Sequence, residues 1–316
     1  MSEFEIIKRY FHWESRDPTV VVGNGDDGAL VQVPAGFELA VAVDTSNSGV
    51  HFPSTTPAHA VGYKSLAVNI SDMAAMGATA RWFTLSLSLP EVDEAWLRDF
   101  SSGLKSLAES EHLSLIGGDT TRGPLSISVQ ILGLVPQGTR LLRLNAQVGD
   151  VVCVTGFLGD AAAGLALVQE RLSLPEAEAQ YCIKRLNYPS ARTVVVDFLI
   201  QHAHACIDIS DGLLSEAWHL ARQSGVTIEL DANSLPYSPA LKLLPLEQRQ
   251  AFALTGGDDY ELLFTLPAEK IGLLDQYFSQ IHLPVTILGL IKEAKPAVRV
   301  RGAENFQTSG YDHFKY

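Results

Sequence analysis

Carboxylates stand beside glycines in short segments along this chain. The segments are Gly25-Asp26-Asp27-Gly28, Asp44 in a Val-Asp-Thr ending, Asn69-Ile70-Ser71-Asp72, Gly117-Gly118-Asp119-Thr120, Asp208-Ile209-Ser210-Asp211-Gly212 and Gly256-Gly257-Asp258-Asp259. Carboxylates on tight turns are hard oxygen ligands held where an ion can reach them, and they suit Mg²⁺, which takes carboxylate, water and phosphate oxygens. Any one segment alone is ordinary turn or helix-cap chemistry, because Asp and Gly both favour such positions. Six of them in one chain argue for a site that handles divalent cations.

Other phosphate chemistry is missing. There is no GxxxxGK[ST] cradle, no GxGxxG after a strand in a dinucleotide unit, no GxSxG elbow and no HExxH. Gly156-Phe157-Leu158-Gly159-Asp160 enters a helix and could offer N–H groups to an anion, or be a plain strand-to-helix connection. Phosphoryl transfer is mostly positioning plus neutralisation of phosphate charge, and metals bridging a triphosphate do both. A hydroxyl acceptor needs a base, whereas a phosphate monoester is largely ionised at neutral pH, its second pKa being about 6. A kinase acting on a monophosphate therefore requires no covalent nucleophile or base, and no convincing catalytic residue of that kind is found.

The elements that must position these carboxylates alternate along the chain. Residues 39–45 read as a short buried strand delivering Asp44 at its C-terminal end. Residues 57–76 read as a helix with Leu66, Ile70, Met73 and Gly77 on one face, which puts Ser65, Asn69, Asp72 and Met76 on a neighbouring stripe. Residues 82–89 and 125–135 alternate as strands, 93–110 is an amphipathic helix, and 113–116 is a short strand running into the Gly-Gly-Asp turn. A composition shift over 136–149 marks a boundary, giving residues 1–140 and 141–316 as domains. The second half carries strands at 150–155, 205–209, 226–230, 260–266, 285–291 and 297–301. Helices at 191–202, 213–223 and 268–278 lie between them, besides the alanine-rich one after Asp160. The fold class is α/β (α+β).

At 316 residues, 47% hydrophobic and 19% charged, the chain is long enough for a sizeable core and too apolar for disorder. Its net charge of −13 disfavours nucleic acid, since no basic stripe exists to replace counterions. The same charge demands bound cations if the substrate is a phosphate. No apolar run reaches the roughly 18 residues of a membrane span, so no membrane is expected. Cys153, Cys182 and Cys206 are odd in number and widely spaced, which points to reduced thiols in the cytoplasm and away from zinc. Cys206 reads as a strand-packing residue.

With these residues laid out, the chain resembles the thiamine-monophosphate kinase family of the aminoimidazole ribonucleotide synthetase superfamily. The motifs are Gly25-Asp26-Asp27, Asp44 with Gly49-Val50-His51-Phe52, the run from Val68 to Ala78, Gly117 to Thr121, Asp208 to Gly212, Gly257-Asp258-Asp259-Tyr260-Glu261-Leu262, and the terminal Gly310-Tyr311-Asp312-His313-Phe314. The resemblance implies a two-domain fold of the synthetase type, with the N-terminal sheet at a homodimer interface and a C-terminal α/β domain. It implies direct transfer of the γ-phosphoryl of ATP to thiamine monophosphate, assisted by several Mg²⁺ ions. Carried over by motif, Asp27, Asp44, Asp72, Asp119 and Asp208 would ligate Mg²⁺, with Asp211 holding a further ion. Gly118, Asp119, Arg143 and Ser210 would lie against ATP; His51, Asp258 and Tyr311 would lie against the thiamine phosphate. Asp211 could instead cap the helix beginning near Leu213, Arg143 could be a surface residue, and Tyr311 could stack on the cationic thiazolium.

Three departures from the family pattern stand out. Ala42 and Val43 replace hydroxyl residues before Asp44, Gly256-Gly257-Asp258-Asp259 replaces Gly-Gly-Glu-Asp, and Arg185-Leu186-Asn187-Tyr188-Pro189 lacks the usual second arginine. Alternatives are another ATP-dependent synthetase of the superfamily, a non-catalytic nucleotide or thiamine-phosphate binding protein, and a metal-dependent phosphatase. The selenium-activating members carry a reactive cysteine near the N-terminus, and residues 1–26 contain none.

Overall fold

Helical period and strand alternation each find their partner surface in the computed structural model of the protein, which describes residues 1–15, 17–303 and 306. Contacts divide it into two units, Met1–Ala74 with Ala78–Thr139, and Ala75–Gly77 with the chain from Arg140 onward.

In the first unit Ser2 and Glu5 form a capping box that starts the short α1 (Glu3–Ile6), and a π turn over Ile7–Phe11 continues it. A two-stranded ribbon follows, β1 (Val20–Val22) with β2 (Leu30–Val31). The main sheet contains β3 (Phe37–Asn47), β4 (Thr79–Leu89), β5 (Ser114–Arg122) and β6 (Ser126–Pro136), in the order β3-β6-β4-β5. Its β3–β6 and β6–β4 pairs are antiparallel, and β4–β5 is parallel. Two helices accompany it, α2 (Ala58–Ala75) and α3 (Glu94–Ser110), the latter capped by the Asp93 carboxylate at the Ala95 and Trp96 amides. Leu66, Ile70 and Met73 are buried on α2, each contributing roughly 1.5–3 kcal/mol by leaving water. The two helices touch through glycines. A Cβ at Gly62 would lie 2.1 Å from the Phe100 carbonyl oxygen, and one at Gly103 would lie 1.9 Å from that of His59.

Two expectations change here. The strand holding Asp44 is an edge strand whose alternate residues Leu39, Val41 and Val43 are 42%, 52% and 62% exposed, so it is not buried within this chain. The Gly117-Gly118-Asp119 segment is no turn but the middle of β5, running parallel to β4 past a bulge between Phe83 and Thr84. Gly118 is required there: its φ is +154°, and a Cβ would sit 2.0 Å from the Leu85 carbonyl oxygen.

The second unit is built from β7 (Val151–Thr155), α4 (Asp160–Val168), α5 (Glu176–Asn187), α6 (Val196–His202), β8 (Ala205–Asp208) and α7 (Leu213–Ser224). It continues with β9 (Thr227–Asp231), α8 (Leu246–Thr255), β10 (Leu262–Leu266), α9 (Ile271–Gln280), β11 (Val285–Lys292) and β12 (Ala297–Arg301). Its six strands run in the order β12-β9-β11-β7-β10-β8, with only β12–β9 parallel. Val151–Thr155 is buried at every residue, as a central strand covered on both faces must be. The helix expected from 191 begins only at Val196, after a 3₁₀ turn over Thr193–Val195, and α5 and α8 are helices the sequence analysis did not name. All three cysteines are free and buried, and burial pushes the Cys153 and Cys182 thiols up to about 12. They are packing residues rather than nucleophiles.

Candidate active site

In the first unit the sequence places a charged loop beside a glycine-bearing strand. Asn24 ties them together: its side-chain amide donates to the Phe11 carbonyl at 3.0 Å and to the Leu115 carbonyl at 3.3 Å. This sets Asp26 and Asp27 beside Gly117, Gly118 and Asp119 of β5, around a cleft of ≈ 440 Å³. Phe4, Ile7 and Phe11 give the same cleft an apolar wall. Asp26 Oδ1 accepts from the Asp27 amide at 2.8 Å, which shapes the loop, and Asp26, Asp27 and Asp119 are all exposed. The Gly23-x-Gly25-x-x-Gly28 spacing follows β1 but leads into β2 and not a helix, so it is not a dinucleotide fingerprint.

Elsewhere in that unit, Asn69 is buried on α2 and does not face solvent. It accepts from the Asp44 backbone amide at 3.1 Å and donates to the Ser65 carbonyl at 3.0 Å, pinning β3 at the residue whose carboxylate is half-exposed. Asp72 is half-exposed on the same helix. His51 lies in a turn closed by its own amide to the Asn47 carbonyl (3.0 Å), and its Nδ1 accepts from the Asn47 amide (3.0 Å). That bond fixes the ring, and Nδ1 is therefore not the proton carrier. Lys64, buried one helical face away, donates to the His51 carbonyl at 3.5 Å. It is a cation the sequence analysis did not single out.

The second unit places its residues by lacing two loops. The Asp258 amide donates to the Ser210 carbonyl at 2.8 Å, the Tyr260 amide to the Ile209 carbonyl at 2.9 Å, and the Ile209 amide to the Glu261 carbonyl at 2.8 Å. Asp258 and Tyr260 hold φ of 69° and 50°, left-handed values that cost such residues of order 1–3 kcal/mol each and persist only where surroundings impose them. The Tyr260 hydroxyl donates to Asp258 Oδ1 at 3.3 Å. Asp208, at the end of β8, is buried, and Ser210 and Asp211 are half-buried beyond it. Asp211 does not cap α7: the N-cap residue is Gly212, with no side-chain cap bond. Instead the buried Glu216 receives the Asp211 amide at 3.4 Å and the Ser210 hydroxyl at 3.5 Å. Burial, and then the charges of Asp208 and Asp211, push its carboxyl up to about 8. Arg143 is exposed, and its positive charge acts on Glu216 against those two aspartates. Glu216 also escaped the sequence analysis, since a glutamate in an amphipathic helix reads as a solvated face.

The loop entering α4 holds a carboxyl group of its own chain. The Gly159 amide donates to Asp259 Oδ2 at 2.8 Å, and the Gly156 and Leu158 amides go to the Pro284 and Pro236 carbonyls. Burial raises the Asp259 carboxyl well above the usual carboxylate range. Among the described residues no three His, Cys, Asp or Glu side chains are gathered closely enough to hold a metal ion. Tyr311 lies outside the described residues.

Residues 25–135 match the family model "AIR synthase related protein, N-terminal domain". The thiamine-monophosphate kinase of Escherichia coli (strain K12) is 44% identical over 319 residues, covering 99% of this chain and 98% of the relative. The chain belongs to the thiamine-monophosphate kinase family. The crystal structure of the thiamine-monophosphate kinase from Stenotrophomonas maltophilia K279a superposes with a TM-score of 0.86 at 45% identity, covering 91% of this chain and 92% of that one. A structure of AaThiL complexed with AMPPCP and TMP superposes with a TM-score of 0.79 at 34% identity, covering 92% and 91%. The fold is that of the aminoimidazole ribonucleotide synthetase superfamily, as the motifs implied.

Proposed function

We propose that this chain transfers the γ-phosphoryl of ATP to the phosphate of thiamine monophosphate, giving thiamine diphosphate and ADP. The observation that carries this is the end-to-end likeness to thiamine-monophosphate kinases, one of them solved with AMPPCP, an ATP analogue, and TMP. The first unit's cleft supports the same reading. An apolar wall of Phe4, Ile7 and Phe11 suits a base, while Asp27, Asp119 and the open backbone at Gly118 suit a cation-bearing phosphate tail.

The donor set fits Mg²⁺. Asp27 and Asp119 offer exposed carboxylate oxygens, and Asp44 and Asp72 half-exposed ones, that would serve as hard ligands. In the second unit Asp208 and Asp211 would serve the same purpose, with Ser210 and Arg143 toward ATP and Asp258 toward the acceptor; His51 and Tyr311 complete the acceptor contacts. Held by these residues, several Mg²⁺ ions would supply neutralisation of the triphosphate charge. The chain's own residues fix the geometry: Asn69 sets Asp44, Asn24 sets Asp26 and Asp27, and Ser210 and Ile209 set Asp258. No protein base is needed, because the acceptor phosphate is already ionised.

The working form in this reading is a cytoplasmic homodimer. The outward row of Leu39, Val41 and Val43 on an edge strand is what a second copy would cover, and three free buried thiols suit a reducing compartment. Among the described residues no helix is long and apolar enough to cross a membrane.

The test is incubation with ATP, thiamine monophosphate and MgCl₂, with products separated by chromatography. Equal amounts of ADP and thiamine diphosphate are expected. ADP with free phosphate would indicate a phosphatase instead, and tight binding without turnover a sensor.

A further inference from the structure

The second unit contains an ion cluster that the phosphoryl-transfer chemistry does not use. Glu261 is fully buried, and two guanidiniums close on its carboxylate: Arg185 Nη2 donates to Oε1 at 2.9 Å, and Arg192 reaches both oxygens, with its Nε 2.5 Å from Oε2. The Thr155 hydroxyl donates to Oε2 at 2.6 Å and accepts from the Leu262 amide at 2.9 Å, fastening the cluster to β7 and β10. Arg185 Nη2 also donates to the Asp259 carbonyl at 3.2 Å. Room for the carboxylate exists only because residue 156 is glycine, where a Cβ would lie 2.2 Å from Glu261 Oε1. Arg192, beyond the segment Arg185–Pro189, thus supplies the second guanidinium on Glu261.

The location of this cluster is informative. Glu261 ends the segment whose left-handed residues Asp258 and Tyr260 present the acceptor-side carboxylate, and its carbonyl is laced to Ile209 beside Ser210. A buried ion pair is seldom the best way to add stability, since apolar residues of the same size do as well or better; it does fix a unique geometry when every partner is satisfied. A bidentate arginine fork supplies that geometric restraint.

We propose that Arg185 and Arg192, clamped on Glu261, are positioning residues for the acceptor: they hold the Gly257–Tyr260 turn so that Asp258 meets the phosphate end of thiamine monophosphate. This rests on the reading of Asp258 as a substrate contact. The clamp touches no substrate itself, and its loss leaves the first unit's nucleotide cleft unaltered.

Arg192→Lys tests this in the full-length protein, because lysine keeps the charge and loses the fork. A rise of about tenfold or more in KM for thiamine monophosphate is expected, with KM for ATP within about twofold of wild type and a folded circular-dichroism spectrum. Asp258→Ala is made in parallel, and the double variant should be no worse than Asp258→Ala alone. If Asp258→Ala leaves KM for thiamine monophosphate unchanged, the reading of Asp258 falls, and the clamp's role falls with it. If Asp258→Ala raises that KM while folded Arg192→Lys does not, or if both substrates' KM values move together, or the two effects add, the positioning role alone is overturned. Arg185→Lys repeats the test from the other fork should Arg192→Lys fail to fold; failure of both to fold would make the clamp a stability element and overturn the proposal.

Discussion

The acids of the two units are held in opposite ways. In the first unit Asp26, Asp27 and Asp119 are exposed, and Asp44 and Asp72 are half-exposed, set in place by backbone bonds such as Asn69 to the Asp44 amide. In the second unit Asp160, Asp259 and Glu261 are buried among donors of their own chain, while Asp208 and Asp211, beside Glu216, form a separate acidic group. Several of those have partners built in: Glu261 has two arginines, and Asp160 accepts from the Ser238 hydroxyl at 2.5 Å and the Tyr181 hydroxyl at 3.0 Å. A carboxylate left near water retains its charge for a ligand, whereas one buried among donors has spent it on the fold. The lesson is that counting aspartates does not find a cation site. Exposure and existing partners decide which ones are available.

Removing an acid of each kind should therefore produce different failures. Asp44→Asn is expected to lower the transfer rate by about 10²-fold or more with an unchanged melting temperature, because it removes charge from a half-exposed position outside the core. Near-full activity would end its assignment as a metal ligand. Glu261→Ala should fail by instability instead, losing about 3–5 kcal/mol in denaturant titrations by leaving two largely covered guanidiniums without their anion.

A smaller effect comes from Glu216, whose carboxyl titrates from 4.5 in the unfolded chain to about 8 when folded. Between those values the folded state holds a proton that the unfolded state has released, so stability falls as pH rises through this window. In metal-free protein Glu216→Gln should thus gain in melting temperature relative to wild type on going from pH 5 to pH 8. A difference between the two that stays constant with pH would show that burial does not control this group.

Much of the architecture was legible because local pattern and tertiary surface agree. The 3.6-residue period put Leu66, Ile70 and Met73 on one face of a helix, and they are buried there. The strand read at 297–301 matches β12 in extent. The misreadings share a cause. Gly117-Gly118 reads as a turn until the Leu85 carbonyl beside it is known, and a strand edge supplies that neighbour only in the folded sheet. Residues 39–45 read as buried because they are apolar, yet their outward side chains find no cover within the described residues of this chain. The motif carboxylates carry a local sequence pattern, while Arg192 and Glu216 carry none. Arg192 meets Glu261 across 69 positions, a contact no local pattern encodes.

The central claim is that the exposed acids of the first unit take up the divalent cations that accompany the nucleotide, while the second unit's buried clamp does not. Counting Mn²⁺ bound per chain by electron paramagnetic resonance, in the presence of AMPPCP, tests it most directly. Asp27→Asn and Asp119→Asn should each weaken or abolish Mn²⁺ uptake while Arg192→Lys binds as wild type does. Unchanged Mn²⁺ binding in both aspartate variants would contradict the account.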